Sequence, residues 1–138
     1  MTNLKNKRIF YIEDNVQNRA LIQLLLEQNG AMVSFERWGD HEDIQRRLAA
    51  FEQIDLILLD LMFPKNVSGY DIFDFLRGLP AYAQVPIVAI SAADPATEMN
   101  KARAKGFSGY ISKPISLIHF PEQISQILDG KPVWYAGD

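Results

Sequence analysis

The run Ile54-Asp55-Leu56-Ile57-Leu58-Leu59-Asp60 constrains the fold of this chain more than any other stretch. Branched apolar residues follow one another and then stop at a carboxylate. Apolar side chains on both faces suit a strand buried in the middle of a parallel sheet, and the run is short for a helix. Asp60 then stands where the strand emerges, at the C-terminal edge where open α/β sheets gather ligands and chemistry.

Four of the five strands read along the chain end in polar groups in this way. Residues Arg8 to Ile12 read as a first buried strand, ended by Glu13 and Asp14. Asp14 or Asn15 can cap the helix that follows, because a short oxygen-bearing side chain accepts a free backbone N–H there. Val16, Ala20, Leu21, Leu24 and Leu25 form its expected apolar stripe, and Gly30 its left-handed stop. Ala31 to Phe35 reads as a less buried edge strand, and His41 to Phe51 as a helix with Ile44, Leu48 and Phe51 inward. After Asp60 comes a loop from Phe63 to Gly69 and a helix from about Tyr70 to Leu79, burying Ile72, Phe73 and Leu76. Val85 to Ile90 is a fourth strand, stopping at Ser91. Asp94-Pro95 opens a helix that runs to about Lys105, with few large apolar residues and so loosely held. Phe107 to Ile111 is a fifth strand. A last helix starts near Pro121, with Leu117, Ile124, Ile127 and Leu128 inward, and ends at Asp129-Gly130.

Five strands alternating with five helices predict a flavodoxin-like, doubly wound parallel sheet of order 2-1-3-4-5, with right-handed crossovers. The 138 residues are one domain's worth: a body over 1–129 and an aromatic tail over 130–138. The tail, Lys131-Pro132-Val133-Trp134-Tyr135, is expected to pack on its own domain or stay disordered; docking a partner or a second copy is the sharper reading. The absence of cysteine excludes thiolate chemistry and Cys-ligated zinc, and two histidines make a His-rich metal site a poor fit. A net charge of −3 gives no sign of a nucleic-acid binder. No stretch reads as a signal peptide or membrane span, so a cytoplasmic location is the expectation.

In the expected strand order, Glu13, Asp14 and Asp60 converge at one edge with Ser91 and Lys113. Two carboxylates about 5 Å apart repel by about 3 kcal/mol at an effective dielectric of about 20. Lys113 supplies one counter-charge. A hard divalent cation with few protein ligands and several waters supplies the rest, which favours Mg²⁺. A carboxylate beside Mg²⁺ and a lysine is poised as a nucleophile toward phosphorus, and Ser91 and backbone N–H groups after Asp60 can bind the same phosphoryl group.

These residues resemble the receiver domain of two-component response regulators. The matches are Glu13-Asp14, Leu59-Asp60-Leu61 with Pro64, Ser91-Ala92, and Tyr110-Ile111-Ser112-Lys113-Pro114, covering residues 7 to 129. Glu13-Asp14-Asn15 and Ile111 to Ser116 are especially similar to the stand-alone DivK subgroup. The resemblance implies that Asp60 accepts phosphate from a sensor histidine kinase or a phosphotransfer protein. It implies Mg²⁺ on Asp14, Asp60 and the Met62 carbonyl, with Glu13 acting mainly through a metal-bound water. It places Met62, Ala92, Ser91 and Lys113 around the phosphoryl oxygens, makes Tyr110 a rotamer switch that follows Ser91, and implies a cis Lys113-Pro114 bond. With no output domain after residue 129, a downstream protein target is expected to be reached through protein contacts, with a homodimer through the last helices or the tail as one form.

One departure stands out: four residues, Lys65 to Ser68, separate Pro64 from Gly69, where the family usually has three. The positions two past Asp60 and Ser91 are Met62 and Ala93, neither of which can orient a hydrolytic water, so slow self-dephosphorylation is expected. A haloacid-dehalogenase-type phosphatase needs an Asp where Met62 stands. An FMN carrier needs a phosphate loop where Glu13 and Asp14 would repel the ligand. A pseudo-receiver working without phosphate is the remaining alternative.

Overall fold

The computed structural model describes residues 3–137. Its elements in chain order are β1 (Arg8–Ile12), α1 (Val16–Gln28), β2 (Met32–Glu36), α2 (His41–Phe51), β3 (Leu56–Asp60), α3 (Gly69–Arg77), β4 (Ile87–Ser91), α4 (Pro95–Lys105), β5 (Gly109–Ser112), α5 (Phe120–Leu128) and β6 (Val133–Tyr135), with a 3₁₀ turn at Pro80–Tyr82. All strands are parallel, in the order β2-β1-β3-β4-β5-β6. The sheet therefore has six strands, one more than the sequence pattern predicts.

The extra strand has a physical origin. After α5 the chain turns at Gly130, whose φ of 87° is in the left-handed region. Val133, Trp134 and Tyr135, all good strand formers, then meet the edge of β5, which would otherwise carry unpaired backbone groups.

Alternation along the strands divides the core between two layers. On one face Phe10, Ile12, Ile57, Leu59 and Ala89 pack under α2, α3 and α4. On the other, Ile9, Leu56, Leu58, Val88 and Ile90 pack under α1 and α5. The central strands are buried on both faces because helices cover both. Helix α4 buries only Ala102 fully, in keeping with its small apolar residues. Asp94 caps it by accepting the Ala96 N–H at 3.0 Å. Among the described residues no helix is long and apolar enough to cross a membrane.

Two inward assignments are corrected. In α1 the buried residues are Ile22 and Leu26, whereas Val16 is 62% exposed, Leu24 53% and Leu21 39%, and Ala20 also faces out. Three neighbouring apolar residues occur twice, at 20–22 and 24–26, so apolar spacing alone fits two faces equally well. Leu117 is 60% exposed because Ser116–His119 forms a turn ahead of α5, closed by Phe120 N–H donating to the Ser116 carbonyl at 2.9 Å.

The lengthened loop after β3 is a miniature hairpin. Met62 and Ser68 form an antiparallel bridge, and the Phe63 N–H donates to the Val67 carbonyl at 3.2 Å. The Val67 N–H donates to the Pro64 carbonyl at 3.3 Å, with Lys65 and Asn66 both at φ 61°. Two successive positive φ values closed in this way are the mark of a type I′ turn. The added residue is thus absorbed at the tip, and Ser68 and Gly69 return beside the strand end. Ser68 Oγ caps α3 by accepting the Tyr70 N–H at 3.0 Å.

Gly69 is there for closeness. A Cβ on it would run into the Asp60 carbonyl oxygen and stand 2.6 Å from Leu61 Cα, both backbone atoms. Gly69→Ala is expected to lower stability by about 2–3 kcal/mol through overpacking. Gly78→Ala, whose Cβ would meet nothing closer than 3.4 Å, is expected to stay within about 0.5 kcal/mol of the parent. Urea unfolding midpoints of the two variants make the comparison.

Candidate functional site

Register brings the acidic residues together. Ile12 pairs with Leu59, so Glu13, one residue on, stands beside Asp60. Asp60 pairs with Ile90 and Ser91 with Ser112, and the Lys113 N–H donates to the Ser91 carbonyl at 2.8 Å. The ends of β1, β3, β4 and β5 therefore meet at one rim. The Lys113–Pro114 peptide is cis.

Lys113 lies between two carboxylates. Its Nζ donates to Asp60 Oδ2 at 2.9 Å and to Glu13 Oε1 at 3.1 Å. All three side chains are largely buried, Glu13 at 1% exposure. Charge-assisted bonds away from bulk water are short and strong, and they fix the ammonium over the Asp60 carboxylate. Asp60 Oδ1 accepts the Met62 N–H at 3.0 Å, which sets the plane of the carboxyl group.

A cleft of about 260 Å³ opens above these groups, lined by Glu13, Asp14, Asn15, Asp60, Met62, Ala92 and Lys113. Six of the eight residues singled out from sequence thus face one space. The other two, Ser91 and Tyr110, are fully buried just behind it. Ser91 Oγ accepts the Ala93 N–H at 3.0 Å, so its hydroxyl is turned onto its own loop. The Tyr110 hydroxyl donates to the Ala93 carbonyl at 3.3 Å. Burial raises the Tyr110 phenol above its usual range, with a hydrogen bond to Ser91 acting in the opposite direction.

Asp14 is held differently from its neighbours. One of its oxygens accepts the Trp38 backbone N–H at 3.1 Å. Capping of α1 falls to Asn15, whose Oδ1 accepts the Gln17 N–H at 2.9 Å. The loop carrying Trp38 is fixed by rings: Trp38 meets His41 and Phe75 edge-on, and His41 stacks on Phe75 at 4.2 Å. The role of the Trp38 amide is not visible in the sequence, because a backbone donor carries no side-chain signature. Below the rim, the buried Tyr11 hydroxyl has no hydrogen-bond partner among the described residues. Burial first, then the fields of Glu13 and Asp60, push its phenol far up and keep it neutral.

The donor set suits a hard cation. Glu13, Asp14 and Asp60 carry three formal negative charges against one on Lys113, and every oxygen facing the cleft is a carboxylate, amide or carbonyl. Among the described residues no group of three or more acidic or histidine side chains is drawn tightly enough to enclose an ion alone. A cation here would keep much of its water, as Mg²⁺ does.

Comparison with known proteins accords with this geometry. A family model described as the response regulator receiver domain matches residues 9–125. The polar-differentiation response regulators DivK of Brucella ovis and Brucella melitensis are each 32% identical over 123 residues, covering 88% of this chain and 96% of the relative. The chemotaxis response regulator CheY4 of Vibrio cholerae is similar in structure, with a TM-score of 0.75 at 17% identity, over 89% of this chain and 99% of that one. The signal receiver domain of a DNA-binding response regulator from Colwellia psychrerythraea gives 0.75 at 21% identity, over 90% and 99%. At these identities the two structures speak to the fold.

Proposed function

This chain belongs to the response regulator receiver domain family of two-component signalling, and from that premise we propose that Asp60 is its phosphoacceptor, in a Mg²⁺-dependent transfer from a histidine kinase or phosphotransfer protein. The observation that carries the reading is the Lys113 ammonium lying on Asp60 Oδ2 at 2.9 Å inside a cleft whose other charged groups, Glu13, Asp14 and Asp60, are acidic.

In the transfer, an Asp60 carboxylate oxygen forms a bond to phosphorus. The bond from phosphorus to the donor's leaving atom breaks, and its electron pair departs with that atom, a histidine nitrogen or an acyl oxygen. Asp14, Asp60 and the Met62 carbonyl would hold the metal, with Glu13 reaching it through water. The cation, when bound, supplies positive charge that offsets the oxygens of the group in transit. Lys113 does the same from the protein side. The Ser91 hydroxyl, freed from its loop, would donate to a third oxygen. Output is through protein contacts in the cytoplasm.

The face a donor would meet is apolar. Val16 on α1 and Leu117 and Ile118 ahead of α5 are all exposed large side chains near the rim, and a groove between Leu21, Ile22, Pro114 and Ile115 runs beside Lys113. Such a patch suits the apolar side of a helical donor.

Incubation with Mg²⁺ and a small acyl phosphate, followed by intact mass, is expected to add one phosphoryl group. Absence of any adduct with this donor and with protein phosphohistidine alike would leave the phosphate-independent reading in its place. Once formed, the acyl phosphate is expected to persist for minutes or longer in the isolated Mg²⁺-bound protein. Met62, 67% exposed beside the cleft, and Ala93 offer no polar side chain to align an attacking water. Loss within seconds, followed by release of inorganic phosphate, would refute this.

A further inference from the structure

Strand β6 is built into the outer edge of β5. Gly109 pairs with Val133, Tyr110 with Trp134 and Ile111 with Tyr135. The close approach depends on a missing side chain: a Cβ on Gly109 would stand 2.8 Å from the Val133 carbonyl oxygen and 3.1 Å from Ile127 Cδ1. The tail then grips both layers. Trp134 joins the core under α3 and α4, while Val133 and Tyr135 pack on the opposite core. From α4, the Arg103 guanidinium lies 4.6 Å from the centre of the Trp134 ring, a cation–π contact.

This places the tail against Tyr110, which bonds to the same Ala93 segment as Ser91. The Tyr110 ring is fully buried, with its hydroxyl under the Ala93 carbonyl. Its neighbours across the sheet are Ala89 of β4 on one side and Trp134 of β6 on the other. On the β4 side the Tyr110 ring is closed in by Ala89, and its outer side, toward β6, faces Trp134. Trp134 packs on the same core cluster as Tyr110.

We propose that the outer edge of β5 is a strand-binding groove whose occupant is the chain's own Val133–Tyr135 segment, and that Trp134 seated there keeps the Tyr110 ring inward. Docking of the tail and binding of a phosphoryl group at Asp60 then reinforce each other. Ser91 and Tyr110 both bond to Ala93, next to the Ala92 that lines the Asp60 cleft, and Trp134 with Arg103 of α4 stands on the outer side of Tyr110. The inference rests on the function proposed above, since the phosphoryl group is one of the two linked ligands. Linkage makes the effect reciprocal: the factor by which a docked tail tightens phosphoryl binding is the factor by which the phosphoryl group tightens the tail. A partner of the switch face meets an indole and a guanidinium as long as the strand is in place, and a bare β5 edge once it leaves.

The test uses the whole chain with Mg²⁺ and beryllofluoride, a stable stand-in for the phosphoryl group. With 5-fluorotryptophan incorporated, the Trp38 and Trp134 resonances are told apart by Trp134→Phe. On saturation the Trp134 resonance is expected to shift, and amide exchange at residues 133–135 to slow by about fivefold. Trp134→Ala is expected to bind beryllofluoride about fivefold more weakly than the parent, with Trp134→Phe between the two. The inference is overturned if signals around Asp60 report saturation while the Trp134 resonance and the exchange of 133–135 stay fixed. Should Trp134→Ala fail to fold, the exchange measurement on the unmodified chain decides alone. If beryllofluoride perturbs nothing near Asp60, the phosphoacceptor reading fails first and this inference falls with it.

Discussion

Asp60→Asn is expected to accept no phosphoryl group from any donor, with the fold intact. The amide is close to the carboxylate in shape, so the Met62 N–H still finds an oxygen where Oδ1 now sits. What is lost is the nucleophile, for an amide oxygen does not form a stable acyl phosphate. The Lys113 ammonium gives up one of its two anionic partners and keeps Glu13. The cleft's formal charge falls from −2 to −1 on the groups Glu13, Asp14, Asp60 and Lys113, which relieves repulsion and offsets the lost bond. Stability is therefore expected within about 1 kcal/mol of the parent. Intact mass after incubation with acyl phosphate and Mg²⁺ measures the first effect, and urea unfolding the second. Phosphorylation of the variant at the parent's rate would move the acceptor to another residue.

Lys113→Met is expected to damage both chemistry and fold. The methionine keeps most of the length of the side chain and an apolar stem, and removes the ammonium with its charge and its two hydrogen bonds. Transfer to Asp60 then proceeds without the positive group that lies on the acceptor oxygen. Losses of about 10²–10³ in rate are usual when one such stabilising donor is removed. Glu13, almost entirely buried, is left facing Asp60 with no ammonium between them. Breaking a buried pair in this way costs about 3 kcal/mol. Lys113→Arg separates the two effects. It restores charge and most of the stability, but its planar fork cannot place a donor at both 2.9 Å and 3.1 Å along the same lines, so the rate stays low. Single-turnover phosphorylation and chemical unfolding of the two variants check this. Equal rates for the parent and Lys113→Met would remove the lysine from the transfer.

What the sequence disclosed and what it hid have physical causes. Strands β1, β3 and β4 were legible because helices on both faces require unbroken apolar runs, and each run ends in a polar residue; β5 is shorter and interrupted by Ser108 and Gly109, and was placed by Tyr110-Ile111 ahead of Lys113. Helix α2 matched its predicted span because Ile44, Leu48 and Phe51 recur at helical spacing among charged neighbours. Helix α1 offered two apolar faces, and contact with the sheet chose between them. Strand β6 could not be seen because three residues have no measurable period; its existence depends on the free edge of a strand more than twenty residues earlier. The hairpin at 62–68 needs Lys65 at positive φ, which no side-chain preference suggests. At the site, the residues that end strands were readable from their spacing, and Glu13, Asp60 and Lys113 do meet. The local bonds that hold Asp14 and Ser91 were not, because their donors are main-chain amides.

The two grips on the acidic rim differ in kind. Lys113 holds Glu13 and Asp60 by charge, whereas Asp14 is held by the amide of a loop that Trp38, His41 and Phe75 pin by ring stacking. Dissolved ions weaken attraction between charges, over a length of about 10 Å at 0.1 M. They have little purchase on ring packing or on a peptide N–H. Raising the ionic strength therefore loosens partner encounter and the exposed ion pairs while leaving the aim of the Asp14 carboxylate unchanged.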